Sequence, residues 1–241
     1  MKEKLFHFKQ FSIDQSHAAM KVGTDSDLLG ALAAGGNNIL DIGTGTGVLA
    51  LFMAQRFPHA NVTAIDIDEG AIIDAKKNFE SSPFRNRLTL YHTSLQDFCT
   101  LKLSHEASDQ LFDSIVCNPP YFDKSLECPD RSRALARHTS SLPFNILIES
   151  AYNLLCDGGM FSVILPPEVL SDFSAESLMA GFWLQDAFHI SSLPHKAPKR
   201  YVLIYKKGRA EVHDHICCIR NADLSYSSWH NDLLKDFLIT C

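Results

Sequence analysis

Two short stretches of this sequence carry residue types that could do chemistry. The first is Asp41-Ile42-Gly43-Thr44-Gly45-Thr46-Gly47, with three glycines on alternate positions behind an apolar run. Glycines at a strand-to-helix turn let backbone and ligand approach closely. A dinucleotide site spaces its glycines GxGxxG and lays a pyrophosphate on the helix N-terminus. Here the spacing is GxGxG, and Asp41 stands two residues before the first glycine, where it would repel a phosphate. A cationic ammonium or sulfonium suits that carboxylate better, which points to S-adenosylmethionine rather than NAD. Asp41, Gly43, Thr44, Gly45 and Gly47 are thus candidate cofactor residues. The next apolar run ends at Asp66, placed to accept hydrogen bonds from both ribose hydroxyls, with Ile67 beside it and Asp68 as a weaker alternative. After the third run comes Ser94-Leu95-Gln96-Asp97, whose Asp97 is either an acceptor for an adenine amino group or a solvated loop acid.

The second stretch is Asn118-Pro119-Pro120-Tyr121, directly behind the run Phe112 to Cys117. Two prolines fix φ and remove two N–H donors, so the carbonyls there have no local partner. A planar amino group fits them: one N–H to the Asn118 side-chain oxygen, the other to the Pro119 carbonyl, with Tyr121 stacked on the attached π-system. Such acceptors pull the hydrogens of a delocalised amine or amide nitrogen out of line and favour a pyramidal nitrogen. Its lone pair can then point at a sulfonium methyl, so catalysis comes from positioning and electrostatics rather than a strong base. Asn118, Pro119, Pro120 and Tyr121 are the candidate catalytic residues.

These stretches need elements to hold them. Strand-like runs at Asn38–Ile42, Asn61–Ile67, Leu88–Thr93, Phe112–Cys117 and Met160–Leu165 alternate with amphipathic segments, of which Thr46–Phe57, Glu69–Phe79 and Pro143–Cys156 read as helices. Asp157-Gly158-Gly159 is the expected C-cap of the last. That βαβ rhythm predicts a doubly wound α/β fold, Rossmann-like, whose ligands sit at the carboxyl ends of parallel strands. A helix over Thr24–Ala34, with Thr24 and Asp27 as a capping-box variant, feeds the first strand. A helix over Pro167–Ala180, a strand near Ala187–Leu193, the turn His195–Lys199 and a strand over Tyr201–Lys206 complete a seven-stranded, mostly parallel sheet with an antiparallel last strand. Beyond Gly208, a strand over Glu211–Ile219 and a helix over Ser227–Leu238 form an appendage. The 241 residues then divide into an N-terminal extension (1–35), a core (36–207) and the appendage (208–241) of one domain.

Composition narrows the class. Hydrophobic residues make up 46% and charged residues 21%, against the signature of disorder, and the formal charge of -6 speaks against nonspecific nucleic-acid coating. The opening lacks the apolar block of a signal peptide and no run is long enough to cross a membrane, so the chain reads as cytoplasmic. Seven cysteines without CxxC spacing argue against a disulfide framework or a thiolate zinc site. His213, His215 and Cys217 alternate on one strand face, but no fourth ligand is apparent; a half-exposed edge strand is the expectation, with no metal.

DIGTGTG, the acid ending the second strand and NPPY together resemble class I S-adenosylmethionine-dependent methyltransferases acting on amino nitrogens. Phe8-Lys9-Gln10-Phe11, Met20-Lys21-Val22-Gly23-Thr24-Asp25, Asn118 to Phe122, Ala136-Arg137-His138-Thr139, Ile164-Leu165-Pro166 and the tail from Tyr226 to Leu238 resemble the bacterial tRNA1(Val) adenine-37 N6-methyltransferases, nearly end to end. Trp229 departs from that family's acidic-aromatic pair. The resemblance implies that Lys21, Thr24 and Asp25 line the cofactor side and that Asn118 to Tyr121 hold a target adenine. The implied partner is tRNA at its anticodon loop, where an adenine is already partly unstacked; a monomer is expected.

Candidate RNA contacts are Lys9, interleaved with Phe6, Phe8 and Phe11, although an ordinary amphipathic strand reads equally from that pattern. Lys196, Lys199 and Arg200 lie at the turn expected on the glycine-loop edge of the sheet. The segment from Tyr121 to Leu142, with Phe122 and Arg137, is the expected target-recognition loop. Another nucleic-acid adenine methyltransferase, a protein glutamine methyltransferase or a non-catalytic cofactor- or RNA-binding module are competing readings.

Overall fold

A computed structural model describes residues 5–18, 21–104, 111–119 and 142–239. Among them, eight strands form one sheet: β3 (Asn38–Ile42), β4 (Asn61–Asp66), β5 (Leu88–His92), β6 (Phe112–Cys117), β7 (Leu155–Leu165), β8 (Phe182–Ser191), β9 (Arg200–Lys207) and β10 (His213–Cys218). They lie in the order β10-β8-β9-β7-β6-β3-β4-β5. A separate hairpin, β1 (Leu5–His7) and β2 (Ser12–Asp14), precedes them. Only β9 runs against its neighbours, pairing antiparallel with both β7 and β8. The expected sheet is therefore present with one strand more: β10 joins the edge, parallel to β8. The expected appendage strand is the edge strand of the sheet itself.

Helices cover both faces. On one lie α1 (Thr24–Leu32), α2 (Val48–Arg56), α3 (Glu69–Ser81) and the C-terminal α7 (Ser228–Leu234). On the other are α4 (Leu95–Leu103), α5 (Phe144–Leu154) and α6 (Pro167–Met179). Strand alternation sends Ile39 into one core and Leu40 and Ile42 into the other. α2 is the hub of the first core. Its Phe52 stacks on Phe237 at 4.2 Å and meets Phe8 edge-on at 5.2 Å, so both ends of the chain close on one ring. The Lys9 N–H donates to the Phe237 carbonyl at 2.8 Å, and Gln55 Nε2 to the Asp236 carbonyl at 2.9 Å. Arg56 reaches back to the carbonyls of Gly30 and Ala33 (2.8 and 2.7 Å), satisfying the C-terminus of α1 while burial pulls its guanidinium down to about 10.

Several expectations need correction. Phe8 and Phe11 are core residues, 4% and 6% exposed, and cannot stack on bases; only Phe6 of that group is exposed. Capping of α1 falls one residue early, at Gly23, whose N–H donates to Ser26 Oγ while that hydroxyl donates to the Gly23 carbonyl. α2 begins at Val48 rather than Thr46, because Gly47 is left-handed with φ 83°. Asp157-Gly158-Gly159 does not cap a helix: α5 stops at Leu154, and the three residues form an irregular start to β7, where β6 Phe112 and Ser114 face Leu155 and Met160. β8 begins at Phe182, five residues before the expected start, and the terminal helix ends at Leu234. α4 was not expected. No helix among the described residues is long and apolar enough to cross a membrane.

The shared ring at Phe52 makes a prediction. Phe237→Ala should lower stability by about 3 kcal/mol in denaturant unfolding and speed amide exchange in the β1–β2 hairpin as well as in α7. Faster exchange at the C-terminus alone would contradict the coupling.

Candidate active site

Three parallel strands end on one row. In register, Ile42 of β3 pairs with Ile65 of β4 on one side and with Cys117 of β6 on the other. The next residues are Gly43, Asp66 and Asn118. The chain passes from β3 through α2 to β4 on one side and returns to β6 on the other, so this row is the topological switch point of the sheet, where α/β folds open a crevice.

The glycine turn is held from below. Gly43, Gly45 and Gly47 all have positive φ (69°, 57° and 83°), and a Cβ at Gly43 or Gly45 would meet nothing within 4 Å, so both face open space. Gly47 is closed by the Phe79 ring instead. The Gly43 and Thr44 N–H groups donate to the Ile65 carbonyl (3.0 Å each), Gly45 N–H to Asp66 Oδ2 (2.8 Å), and Gly47 N–H to the Thr44 carbonyl (2.9 Å). Four of the turn's amides are therefore already paired. A pyrophosphate would find few donors, in keeping with the reading from the glycine spacing.

Asp41 is fully buried behind the turn. Its Oδ2 accepts from the Thr44 hydroxyl (2.6 Å) and the Ala50 N–H (3.1 Å), bracing the turn against α2, while Oδ1 has no hydrogen-bond partner. Burial pushes the carboxyl up to about 7, against the pull of those two bonds. Asp66 is half-buried and also raised by burial; its Oδ1 accepts the Asp68 N–H at 2.9 Å. Ile67 beside it is 65% exposed, an apolar surface suited to a flat ring. Cys117, on β6 across β3 from Asp66, is held well above an ordinary thiol by burial and by the charges of Asp41 and Asp66, so it is no nucleophile.

Asn118 is half-buried and Pro119 buried at the end of β6. Pro120, Tyr121, Phe122 and Arg137 lie outside the described residues. Asp97 serves its own helix: its N–H donates to Ser94 Oγ (3.1 Å) and its carboxylate accepts from that hydroxyl (2.6 Å) at the start of α4. Lys21 and Thr24 are exposed, just before and at the start of α1.

Two basic residues act differently from expectation. Arg200 Nε donates to both carboxylate oxygens of Asp25 (2.9 and 2.8 Å), so this cation is engaged by the helix expected on the cofactor side. Lys9 is turned to the C-terminus, its ammonium on the Lys235 carbonyl, and is a tether rather than an open phosphate contact. Lys196 and Lys199 remain exposed in the β8–β9 turn, on the edge where β3 also ends but three to four strand spacings, roughly 14 to 19 Å, across the sheet. His215 is bonded to Asp186 (2.9 Å) and stacked on Phe188, on the edge strand.

A sequence-family model described as "Methyltransferase small domain" matches residues 15–168. The chain is 44% identical over 208 residues to a protein of Phocaeicola vulgatus named tRNA1(Val) (adenine(37)-N6)-methyltransferase, covering 86% of this chain and 85% of that one. It is 38% identical to one of the same name from Shewanella sediminis, covering 97% and 98%. It belongs to that methyltransferase family. A solved structure, a predicted O-methyltransferase from Agrobacterium tumefaciens, superposes with TM-score 0.66 at 19% identity over 88% of this chain and 96% of that one, a likeness of fold.

The cofactor of such a methyltransferase is S-adenosylmethionine, and the residues present fit it. The open faces of Gly43 and Gly45 form a cradle, the Asp41 Oδ1 is a buried acceptor without a partner, and Asp66 stands at the adjacent strand end. Three residues outside every motif also reach this region from α3: Gly70, Asp74 and Asn78. Their four-residue spacing, with two polar groups among the buried Ala71, Ala75 and Phe79, is the signal that could have exposed them.

Because Asp41 is raised in the folded chain, the stability it contributes is complete below its ordinary value of 3.8 and is lost as pH rises through about 7. Asp41→Asn, which cannot ionise, should gain on the wild type by about 3 kcal/mol between pH 5 and 8. Thermal melts at the two pH values check this; a constant difference would rule out a near-neutral carboxyl.

Proposed function

We propose that this chain transfers a methyl group from S-adenosylmethionine to N6 of adenine 37 in the anticodon loop of tRNA1(Val). The observation that carries the reading is the common exit row of β3, β4 and β6, which sets a glycine cradle, an acidic strand end and Asn118-Pro119 around one crevice. When bound, S-adenosylmethionine supplies an electrophilic methyl on a positively charged sulfur. Gly43 and Gly45 would let the backbone lie against it, Asp66 would accept hydrogen bonds from the ribose hydroxyls, and Ile67 and Asp97 would serve the cofactor's adenine. Lys21, Thr24 and Asp25 close the cofactor side, with Arg200 holding Asp25.

On the substrate side, the Asn118 side-chain oxygen and the Pro119 carbonyl accept hydrogen bonds from the two N–H groups of the target amine, which releases one proton to solvent once it carries the methyl. Pro120 and Tyr121, the rest of the same motif, complete the proposed catalytic set, with Tyr121 as the aromatic partner of the base. No strong base is required, which accords with a site whose Cys117 thiol and Asp41 carboxyl are both driven toward their neutral forms. Lys196 and Lys199, with Phe122 and Arg137, contact the RNA. The three segments 1–35, 36–207 and 208–241 act as one unit, a reading supported by the closure of both chain ends on Phe52, and we read that unit as cytoplasmic and monomeric.

Incubation with labelled S-adenosylmethionine and tRNA lacking the modification should place N6-methyladenosine at position 37, read by mass analysis of digested tRNA. Label on a protein glutamine with none on tRNA would reject the assignment. Asp66→Ala should weaken cofactor binding by roughly 1 to 3 kcal/mol, whereas Asn118→Ala should chiefly lower kcat. The opposite pattern would overturn these roles.

A further inference from the structure

One stretch of chain is tied to the glycine turn without leaving from any strand end on its row. Residues 14–18 begin at the last residue of β2 and run back along α3. At the far end, Asn78 grips the backbone of Asp14 as a neighbouring strand would, its Oδ1 accepting the Asp14 N–H (2.7 Å) and its Nδ2 donating to the Asp14 carbonyl (2.9 Å). The same Nδ2 donates to the Thr46 carbonyl (2.8 Å), tying the stretch to the glycine turn.

One helical turn earlier, Asp74 is 1% exposed. Its Oδ2 accepts the N–H groups of His17 and Ala18 (2.8 Å each), and its Oδ1 lies 2.8 Å from His17 Nδ1. A further turn back is Gly70, where a Cβ would stand 3.0 Å from the His17 carbonyl oxygen. Gly70, Asp74 and Asn78 share one face of α3 and form a track for the chain. That track ends in the first turn of the helix, beside Asp68 and four residues after Asp66.

The stretch also holds the backbone leading into α1. Gln15 is buried, and its Oε1 accepts the Val22 N–H at 3.0 Å. Val22 lies between Lys21 and Gly23, at the head of the Lys21–Asp25 segment. A displacement of residues 14–18 on α3 is therefore passed to that segment through one buried amide.

We propose that Asp74, with Gly70 and Asn78, is a positioning residue that seats residues 14–18 as a strap along the cofactor crevice and thereby sets the affinity for S-adenosylmethionine. This rests on the proposed reading of the crevice as the cofactor site. Asp74 is buried and its carboxylate bonds only to His17 and Ala18 among the described residues, so its effect passes through the strap. Its carboxylate supplies acceptors to two backbone N–H groups that no other described residue pairs.

Two variants test this. Asp74→Asn keeps the volume but sets a donor among N–H groups. Gly70→Ala leaves the Asp74 and Asn78 bonds in place, favours the helix, and sets its methyl 3.0 Å from the His17 carbonyl oxygen and 3.2 Å from Asp68 Oδ1. Binding of S-adenosylmethionine is measured by calorimetric titration, exchange of amides 14–18 by mass spectrometry, and kinetics with tRNA1(Val) in parallel. Kd and KM for S-adenosylmethionine should rise about tenfold in Asp74→Asn and about threefold in Gly70→Ala, while kcat at saturation and KM for tRNA stay within about twofold. Exchange at His17 and Ala18 should quicken. Quickened exchange with unchanged affinity in both variants overturns the strap, and so does a kcat that falls in step with affinity, the mark of a structural role. Should Asp74→Asn fail to fold, Gly70→Ala decides alone. A wild-type chain that binds no S-adenosylmethionine overturns the reading of the crevice itself, a result seen before any substitution is made.

Discussion

Parallel strands in register must leave a sheet on a common row, and the pairing of Ile42 with both Ile65 and Cys117 applies that constraint to three chain segments at once. Gly43, Asp66 and Asn118 come from positions up to 75 residues apart in the chain, yet hydrogen bonding between backbones sets their spacing at strand distance. No side-chain contact is needed to assemble them. The reversal of strand order at β3 then opens the space above the row, since the connections go to opposite sides.

The electrostatics of the crevice derive from how its turn is satisfied. A glycine turn whose amides were free would be an anion site. Here the Ile65 carbonyl, the Asp66 carboxylate and the Thr44 carbonyl take those amides, and two acids stand behind and beside the turn. Burial raises both acids, which lowers the cost of keeping them together in the free protein. A cation arriving there would favour their ionised forms again. The same surroundings keep Cys117 a thiol, so the region offers acceptors and no nucleophile.

Legibility differed by the range of the interaction. The strand runs and the glycine turn were readable because periodicity and φ demands are local. The antiparallel pairing of β8 with β9 was readable from the shortness of the turn between them. Asp157-Gly158-Gly159 misled because a Gly-Gly pair serves a helix C-cap and a bulged strand equally well; the pairing of β7 with β6 selects the second. Phe8 and Phe11 looked available for stacking because alternation with lysine hides which face is covered, and Phe52 and Phe237 cover it from distant parts of the chain.

The alternation of strands and helices apart from α4, the acids at the glycine turn and the place of Asn118-Pro119 at the end of β6 were determined by sequence alone, since each depends on residue type and on spacing within a few positions. Tertiary structure alone decided which charges are spent on the protein itself. Arg200 meets Asp25 across 175 residues, Lys9 meets the Lys235 carbonyl across 226, and Asp74 meets His17 and Ala18 across 57 and 56. A cation or carboxylate has the same pattern in a sequence whether it faces solvent, a ligand or its own backbone. Only the packing that brings its partner within about 3 Å distinguishes them.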